Sequence, residues 1–224
     1  MTTFTRVLLN ERRRGGRHLL LNPEAMHAAI SAAFPPDTSK EHGRILWRVD
    51  HHKAKHEHVL YIVGPEKPTV EHIVEQAGWD TRPGQIADYD RFIHAIQNGQ
   101  QWHFELVANP TKSIPQSRGT RGKVVPLTTV NTQLNWLLEN APRHGFSVSS
   151  DDIVTARVIE SHLLSFQRNS HQSRNMVCIT TARFEGELTV VDAAALRHTL
   201  MNGIGRARGY GCGLLTLAKR DSRW

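Results

Sequence analysis

Cysteine is scarce in this chain of 224 residues. Its two thiols, Cys178 and Cys212, are too few for a disulfide framework, and both fall in apolar, β-rich stretches where cysteine serves as a small core residue. Long hydrophobic runs are missing as well: nowhere do about 18 apolar residues follow one another, as a helical membrane span requires. The N-terminus also lacks the apolar core of a signal peptide, so the expectation is a soluble protein made and kept in the cytoplasm, with no membrane contact. No carboxylate pair stands out at helical spacing, and Asp151-Asp152 reads as a turn or capping feature rather than a metal dyad. Acidic residues are in deficit, 21 against 28 lysines and arginines, which leaves a formal net charge of +7 with the 14 histidines neutral. A polyanionic partner is the economical explanation of that excess, although a membrane surface would answer to charge alone.

What the chain does contain is one dense loop. Gly203, Gly205, Gly209, Gly211 and Gly213 alternate with Ile204, Arg206, Ala207, Arg208, Tyr210 and Cys212 between a helix-like segment and a final strand. Glycine opens φ > 0 and removes the Cβ, so several amides can turn toward one anion while the arginines add charge. The loop therefore reads as a phosphate or nucleic-acid contact. A flexible surface connection is the plainer alternative. The lysine and hydroxyl residue that close a P-loop are missing, and these glycines precede a strand instead of opening a helix, so a nucleotide cradle of either familiar type is disfavoured.

Along the chain, Thr3 to Asn10 reads as a strand, followed by a basic turn through Arg12, Arg13, Arg14, Gly15, Gly16 and Arg17. Asn22 is suited to cap a helix that begins at Pro23 and carries Met26, Ile30, Ala33 and Phe34 as its apolar stripe. Strands are expected over Arg44–Asp50 and His58–Gly64, a helix around Val70, Ile73, Val74 and Ala77, and a strand over Gln101–Ala108, where Trp102, Phe104 and Leu106 share a face. The order is β-α-β-β-α-β, the ferredoxin-like (RRM-like) arrangement. The remainder repeats it: a helix from about Thr129 to Asn140 marked by Leu134, Leu137 and Leu138, extended segments over Ile153–Phe166 and Met176–Val191, a helix capped by Asp192 and running to Met201, and a strand over Gly211–Ala218. The expectation is an α+β protein of two tandem ferredoxin-like domains, residues 1–110 and 124–224. A solvated, basic linker joins them over 111–123, with Lys112, Arg118, Arg121 and Lys123 able to touch the ligand.

Among the histidines, His27 has the most specific setting. It falls in the second turn of the first helix, beside the apolar stripe, one short loop from the four arginines. Imidazole titrates near neutrality and can give or take a proton there, as phosphodiester cleavage requires. On spacing alone a solvated helical histidine is the simpler reading. The cluster His51-His52-Lys53-Ala54-Lys55-His56-Glu57-His58 invites a metal reading, but it falls at a strand-to-strand tip and its lysines would repel a cation. An RNP-type aromatic signature is missing from the central strands, and no clear helix-turn-helix pattern occurs. An ordinary single-strand binder and a DNA-binding repressor are therefore both disfavoured.

Four segments carry a family resemblance: Asn22-Pro23-Glu24-Ala25-Met26-His27, Phe104-Glu105-Leu106-Val107-Ala108-Asn109-Pro110-Thr111-Lys112, Phe184-Glu185-Gly186, and the loop from Gly203 through Leu215. In this order they resemble the CasE family of the RAMP superfamily, CRISPR-associated endoribonucleases that cut precursor CRISPR RNA within its repeats and stay in the Cascade complex. The resemblance implies two ferredoxin-like domains and metal-independent, cofactor-free transesterification. A ribose 2′-OH attacks the adjacent phosphorus, leaving a 2′,3′-cyclic phosphate and a 5′-OH. It also implies a CRISPR repeat stem-loop and other Cascade subunits as partners. The matching catalytic residue is His27, as general acid or base. Relatives often carry tyrosine where this chain has Glu24, and that carboxylate could act as base, orient His27, or support the helix dipole, the last being the reading we favour. Basic residues that often follow the histidine in relatives are replaced by Ala28 and Ala32. RNA contacts are expected from Arg12, Arg13, Arg14 and Arg17, from Lys112, and from the strand pair bearing Arg157, Arg168 and Arg174 with His162 and His171. The loop residues Gly203, Gly205, Arg206, Arg208, Gly209, Tyr210 and Gly211 complete the set. For each arginine of the strand pair a solvated role stands beside the phosphate contact. The alternative to the enzyme is a non-catalytic structured-RNA-binding subunit.

Overall fold

The computed structural model describes residues 1–38, 43–115, 122–151, 153–170 and 173–219, with Lys53, 168–170 and 173–175 described in backbone alone. The first unit runs β1 (Thr3–Leu9), α1 (Arg14–Leu21), α2 (Pro23–Ser31), β2 (Leu46–His52), β3 (Glu57–Gly64), α3 (Glu71–Ala77) and β4 (Gln85–Asp88). Its antiparallel sheet has the order β2-β3-β1-β4, and β1 pairs with β3 on one side and β4 on the other. After α4 (Asp90–His94) the second unit begins with β5 (Gln101–Ala108). The hairpin β6 (Thr111–Ile114) and β7 (Lys123–Pro126) follows, then α5 (Val130–Asn140) and the short β8 (Phe146–Ser147), β9 (Ser149–Ser150) and β10 (Ile153–Val154). Two long strands, β11 (Ala156–Ser170) and β12 (Ser173–Val190), then α6 (Ala193–Asn202) and β13 (Leu215–Ala218) complete it. The second sheet has the order β11-β12-β5-β13, with β8 also paired to β12. Both sheets thus have the ferredoxin-like strand order. No helix among the described residues is long and apolar enough to cross a membrane.

One strand lies in a different sheet from the one its sequence position suggested. Gln101–Ala108, expected to close the first unit, is instead a central strand of the second sheet, flanked by β12 and β13, with Phe104, Leu106 and Ala108 buried. The closing strand of the first unit is Gln85–Asp88, an edge strand whose residues are exposed or only partly covered. A short edge strand buries too little to imprint an alternating pattern, so the stronger pattern nearby took its place in the sequence reading. Two further expectations change. The basic turn is helical from Arg14 onward, because Leu19 docks in the core and packing outweighs the poor helix propensity of Gly15 and Gly16. The linker is in part the β6–β7 hairpin, with Lys112 exposed on β6, while Arg118 and Arg121 lie outside the described residues.

The first sheet is buried on both faces. Along β3, Leu60 and Ile62 point into a cluster with Met26 and Ile30 of α2, while Val59, Tyr61 and Val63 join the large core shared with the second unit. That explains why β3 is apolar at successive positions rather than alternate ones. A buried ionic joint connects the units. Arg48 on β2 donates from Nε and Nη2 to the Asp50 carboxylate at 2.7 and 2.6 Å, and from Nη1 to the Glu105 carbonyl of β5 at 3.0 Å. Arg183 on β12 donates from Nη1 to Asp50 at 2.7 Å and to the Glu105 carboxylate at 3.2 Å. Burial pushes the Asp50 carboxyl up, but Arg48 and then Arg183 more than reverse it, and it rests below the usual carboxylate range.

Candidate active site

Helix α2 starts where capping chemistry predicts. The Asn22 side-chain oxygen accepts from the amides of Glu24 and Ala25 at 3.0 and 3.1 Å, and Pro23 occupies the first turn, where its missing N–H costs nothing. Glu24, also in that turn, sits at the positive end of the helix dipole. Met26 and Ile30 are buried in the core. His27, one residue round from Met26, is carried to the exposed side of the helix.

The glycine-rich loop comes to meet it. A single 3₁₀ turn over Arg208–Tyr210 packs on α2, and a methyl group placed on Gly209 would lie 3.6 Å from Cε1 of His27. The imidazole therefore rests against loop backbone from the far end of the chain. Between them opens a cavity of about 610 Å³, lined among others by His27, Ser31, Arg44, Arg208 and Gly209.

Much of the loop's glycine content answers to packing instead of to an anion. Gly211 has φ +81°, and a Cβ there would come within 2.8 Å of the Trp47 ring on β2. Gly203 and Gly205 also take positive φ. The expectation that the loop amides turn together toward one anion does not hold for four of them. Gly203 N donates to Thr199 O at 2.7 Å, Ile204 N to Gly213 O at 2.9 Å, Tyr210 N to Ala207 O at 2.9 Å and Gly213 N to Val107 O at 2.7 Å. Tyr210 packs its ring against Phe166 of β11, centroids 4.8 Å apart. Arg206 is exposed, whereas Arg208 is half-buried. His144, whose Nδ1 lies 3.0 Å from Thr199 Oγ1, has its pKa lowered by burial and then by the charge of Arg208.

The remaining candidates scatter. Arg13 is engaged with α3: it donates to the carbonyls of Val74, Glu75 and Gly78 at the end of that helix and pairs with Asp80 at 2.8 Å. Arg12 lines a separate cavity with Lys55, His56 and Arg82, which shares no lining residue with that of His27. Arg14 and Arg17 are exposed on α1. Arg157 is exposed and paired to Glu185. Arg168 and Arg174 lie near the tip of the β11–β12 hairpin, their side chains outside the described residues, as is His171. His162 is exposed beside Glu160. Cys212 is buried, which pushes its thiol up to about 12, but Cys178, expected in the core, is exposed because it falls on the open hairpin. Sequence reasoning missed Arg44 and Ser31 at the cavity, and neither carries a local signal: only the approach of the loop to α2 brings them in.

The profile of the family described as CRISPR associated protein matches residues 4–219. The chain belongs to that family. It is 26% identical over 218 residues to the CRISPR-associated endoribonuclease Cse3 of Thermus thermophilus, covering 96% of this chain and 99% of that one. It is 36% identical over 135 residues to the CRISPR system Cascade subunit CasE of Escherichia coli, which is 55% of this chain and 60% of CasE. Its fold matches that of Thermus thermophilus Cse3 bound to an RNA representing a pre-cleavage complex, with a TM-score of 0.78, 26% identity and coverage of 97% and 98%. The CasE-type resemblance read from the four sequence segments is thereby borne out, and so is the ferredoxin-like fold class.

Proposed function

We propose that this family member is an endoribonuclease that processes CRISPR RNA, cutting the precursor within its repeat hairpins and keeping the product bound as a subunit of Cascade. The observation that carries the reading is the seating of His27. The His27 imidazole lines a cavity together with Arg208 and Gly209 of the glycine-rich loop, in a protein whose relative Cse3 is named an endoribonuclease. In the step proposed, the ribose 2′-oxygen bonds to the adjacent phosphorus as its proton leaves. The bond from phosphorus to the 5′-oxygen breaks, and that oxygen takes up a proton. His27 serves at one of these two transfers, and the products are a 2′,3′-cyclic phosphate and a 5′-OH. A-form RNA hides its base edges in a deep, narrow groove, so the stem is gripped through phosphates and 2′-hydroxyls, with the long β11–β12 hairpin and the exposed Arg206 as contacts.

The test is cleavage of a labelled repeat hairpin in EDTA, alongside the same RNA with a 2′-deoxy sugar at the cut. Cutting of the first and sparing of the second is expected. His27→Ala should slow single-turnover cutting by about 10²–10⁴-fold while hairpin affinity stays nearly constant, since acid–base help is used in the transition state. Binding without cutting by the wild type would instead identify a non-catalytic RNA-binding subunit.

A further inference from the structure

Helix α2 contains no lysine or arginine, so His27 has no cation on its own element. Two arrive from elsewhere. Arg44, from the segment entering β2, and Arg208, from the glycine-rich loop, line the cavity beside His27, and none of its lining residues is acidic. Burial, and then the charge of Arg44, hold the Arg208 guanidinium below its ordinary pKa. Its Nε is buried and has no hydrogen-bond partner among the described residues. Like charges converging without a carboxylate, one of them with an orphaned donor, form an arrangement that an anion with several acceptor oxygens would relieve. Ser31 and Thr38 line the same space.

We propose that Arg44 and Arg208 form a two-arginine clamp on the non-bridging oxygens of the scissile phosphodiester, and that Arg44 is a catalytic residue of the cleavage. This rests on the endoribonuclease reading above. As the 2′-oxygen adds to phosphorus and the bond to the 5′-oxygen breaks, negative charge grows on the non-bridging oxygens, and a fixed guanidinium beside them stabilises the transition state more than the ground state. Arginine stays protonated throughout, so both proton transfers fall to His27 and a second group, and the clamp supplies charge alone.

The deciding experiment uses the full chain, a repeat hairpin at saturating protein for single-turnover rates, and the 2′-deoxy hairpin for affinity. Arg44→Ala should cut about 10²–10³-fold more slowly, the cost of losing one charge-stabilising donor, with affinity changed less than about tenfold. Free guanidinium added below denaturing concentration should restore part of the rate to Arg44→Ala and none to His27→Ala, an effect that a purely structural arginine would not show. Arg208→Ala with a thermal melt checks the second arm, and Arg208→Lys, which keeps charge and stem, should lose less. If the wild type cuts and Arg44→Ala cuts equally well, the clamp is wrong and the endoribonuclease reading stands. A rate that falls only in step with affinity, without guanidinium rescue, also overturns the clamp. A wild type that never cuts overturns both.

Discussion

Asp50→Asn probes the joint on which the site's geometry depends. In the wild type the carboxylate accepts three short hydrogen bonds, two from Arg48 and one from Arg183, and its side chain is only 7% exposed. The amide keeps the shape but removes the charge and turns an N–H₂ toward guanidinium donors. Glu105 then faces the buried Arg48 and the largely covered Arg183, with Glu160 adding a longer contact of 3.5 Å to Arg183. Breaking a buried pair by removing one partner costs about 3–5 kcal/mol, most of it the penalty of leaving the other charge buried. At about 2–4 °C per kcal/mol for a chain of this size, the melting temperature should fall by roughly 6–20 °C. Calorimetry and urea midpoints measure this directly. Glu185→Gln is the control, because its partner Arg157 is 77% exposed and an exposed pair is worth less than about 1 kcal/mol. The substitution should also reach the chemistry: β2 carries Trp47, on which Gly211 of the loop is packed, so loosening β2 against β5 and β12 shifts the loop from His27. Below its melting transition, Asp50→Asn should therefore cut more slowly than its hairpin affinity explains. A melting temperature within about 2 °C of wild type would refute the account of the joint.

Other outcomes follow from the same geometry. Because the Asp50 carboxyl is held below its usual range when folded, its contribution is complete above the unfolded value of about 3.9 and is lost as pH falls through the folded one, so wild-type stability should drop steeply below about pH 4 and that of Asp50→Asn less so, as melts across pH would report. Gly211→Ala forces a side chain to φ +81° and a methyl to 2.8 Å from Trp47, and should cost about 2–4 kcal/mol in urea unfolding, whereas Gly209→Ala, meeting His27 at an ordinary 3.6 Å, should change stability by less than about 1 kcal/mol. Arg206→Ala should flatten the dependence of log K on log salt for hairpin binding by roughly 0.7–0.9 for each phosphate left unneutralised; unchanged slope and affinity would show a solvated arginine.

Local chemistry alone determined a good part of this protein. The Asn22-Pro23 start of α2, the Asp192 cap of α6, whose carboxylate accepts from the amides of Ala194 and Ala195, and the apolar faces of β3 and α5 were all legible, because capping and periodicity act within a few residues. The four motif segments and the excess of basic residues pointed to an RNA-handling family for the same reason: they are properties of composition and short spacing. Tertiary structure alone decided which sheet took Gln101–Ala108. A β-α-β-β-α-β order can be closed by either of two strands, and hydrogen-bond pairing across the units makes the choice. It also separated arginines that look alike in the sequence. Arg13 caps α3, Arg48 and Arg183 lock the joint, Arg12 faces another cavity, and Arg44 reaches the cavity of His27, because burial and partners are set by contacts between residues far apart in the chain. The glycine-rich loop shows both sides of the division. Its composition marked it as unusual, but only the ring of Trp47 behind Gly211 and the ring of His27 beside Gly209 give the reason: the backbone must approach closer than any Cβ at Gly211 would allow, and that approach brings the loop to the histidine.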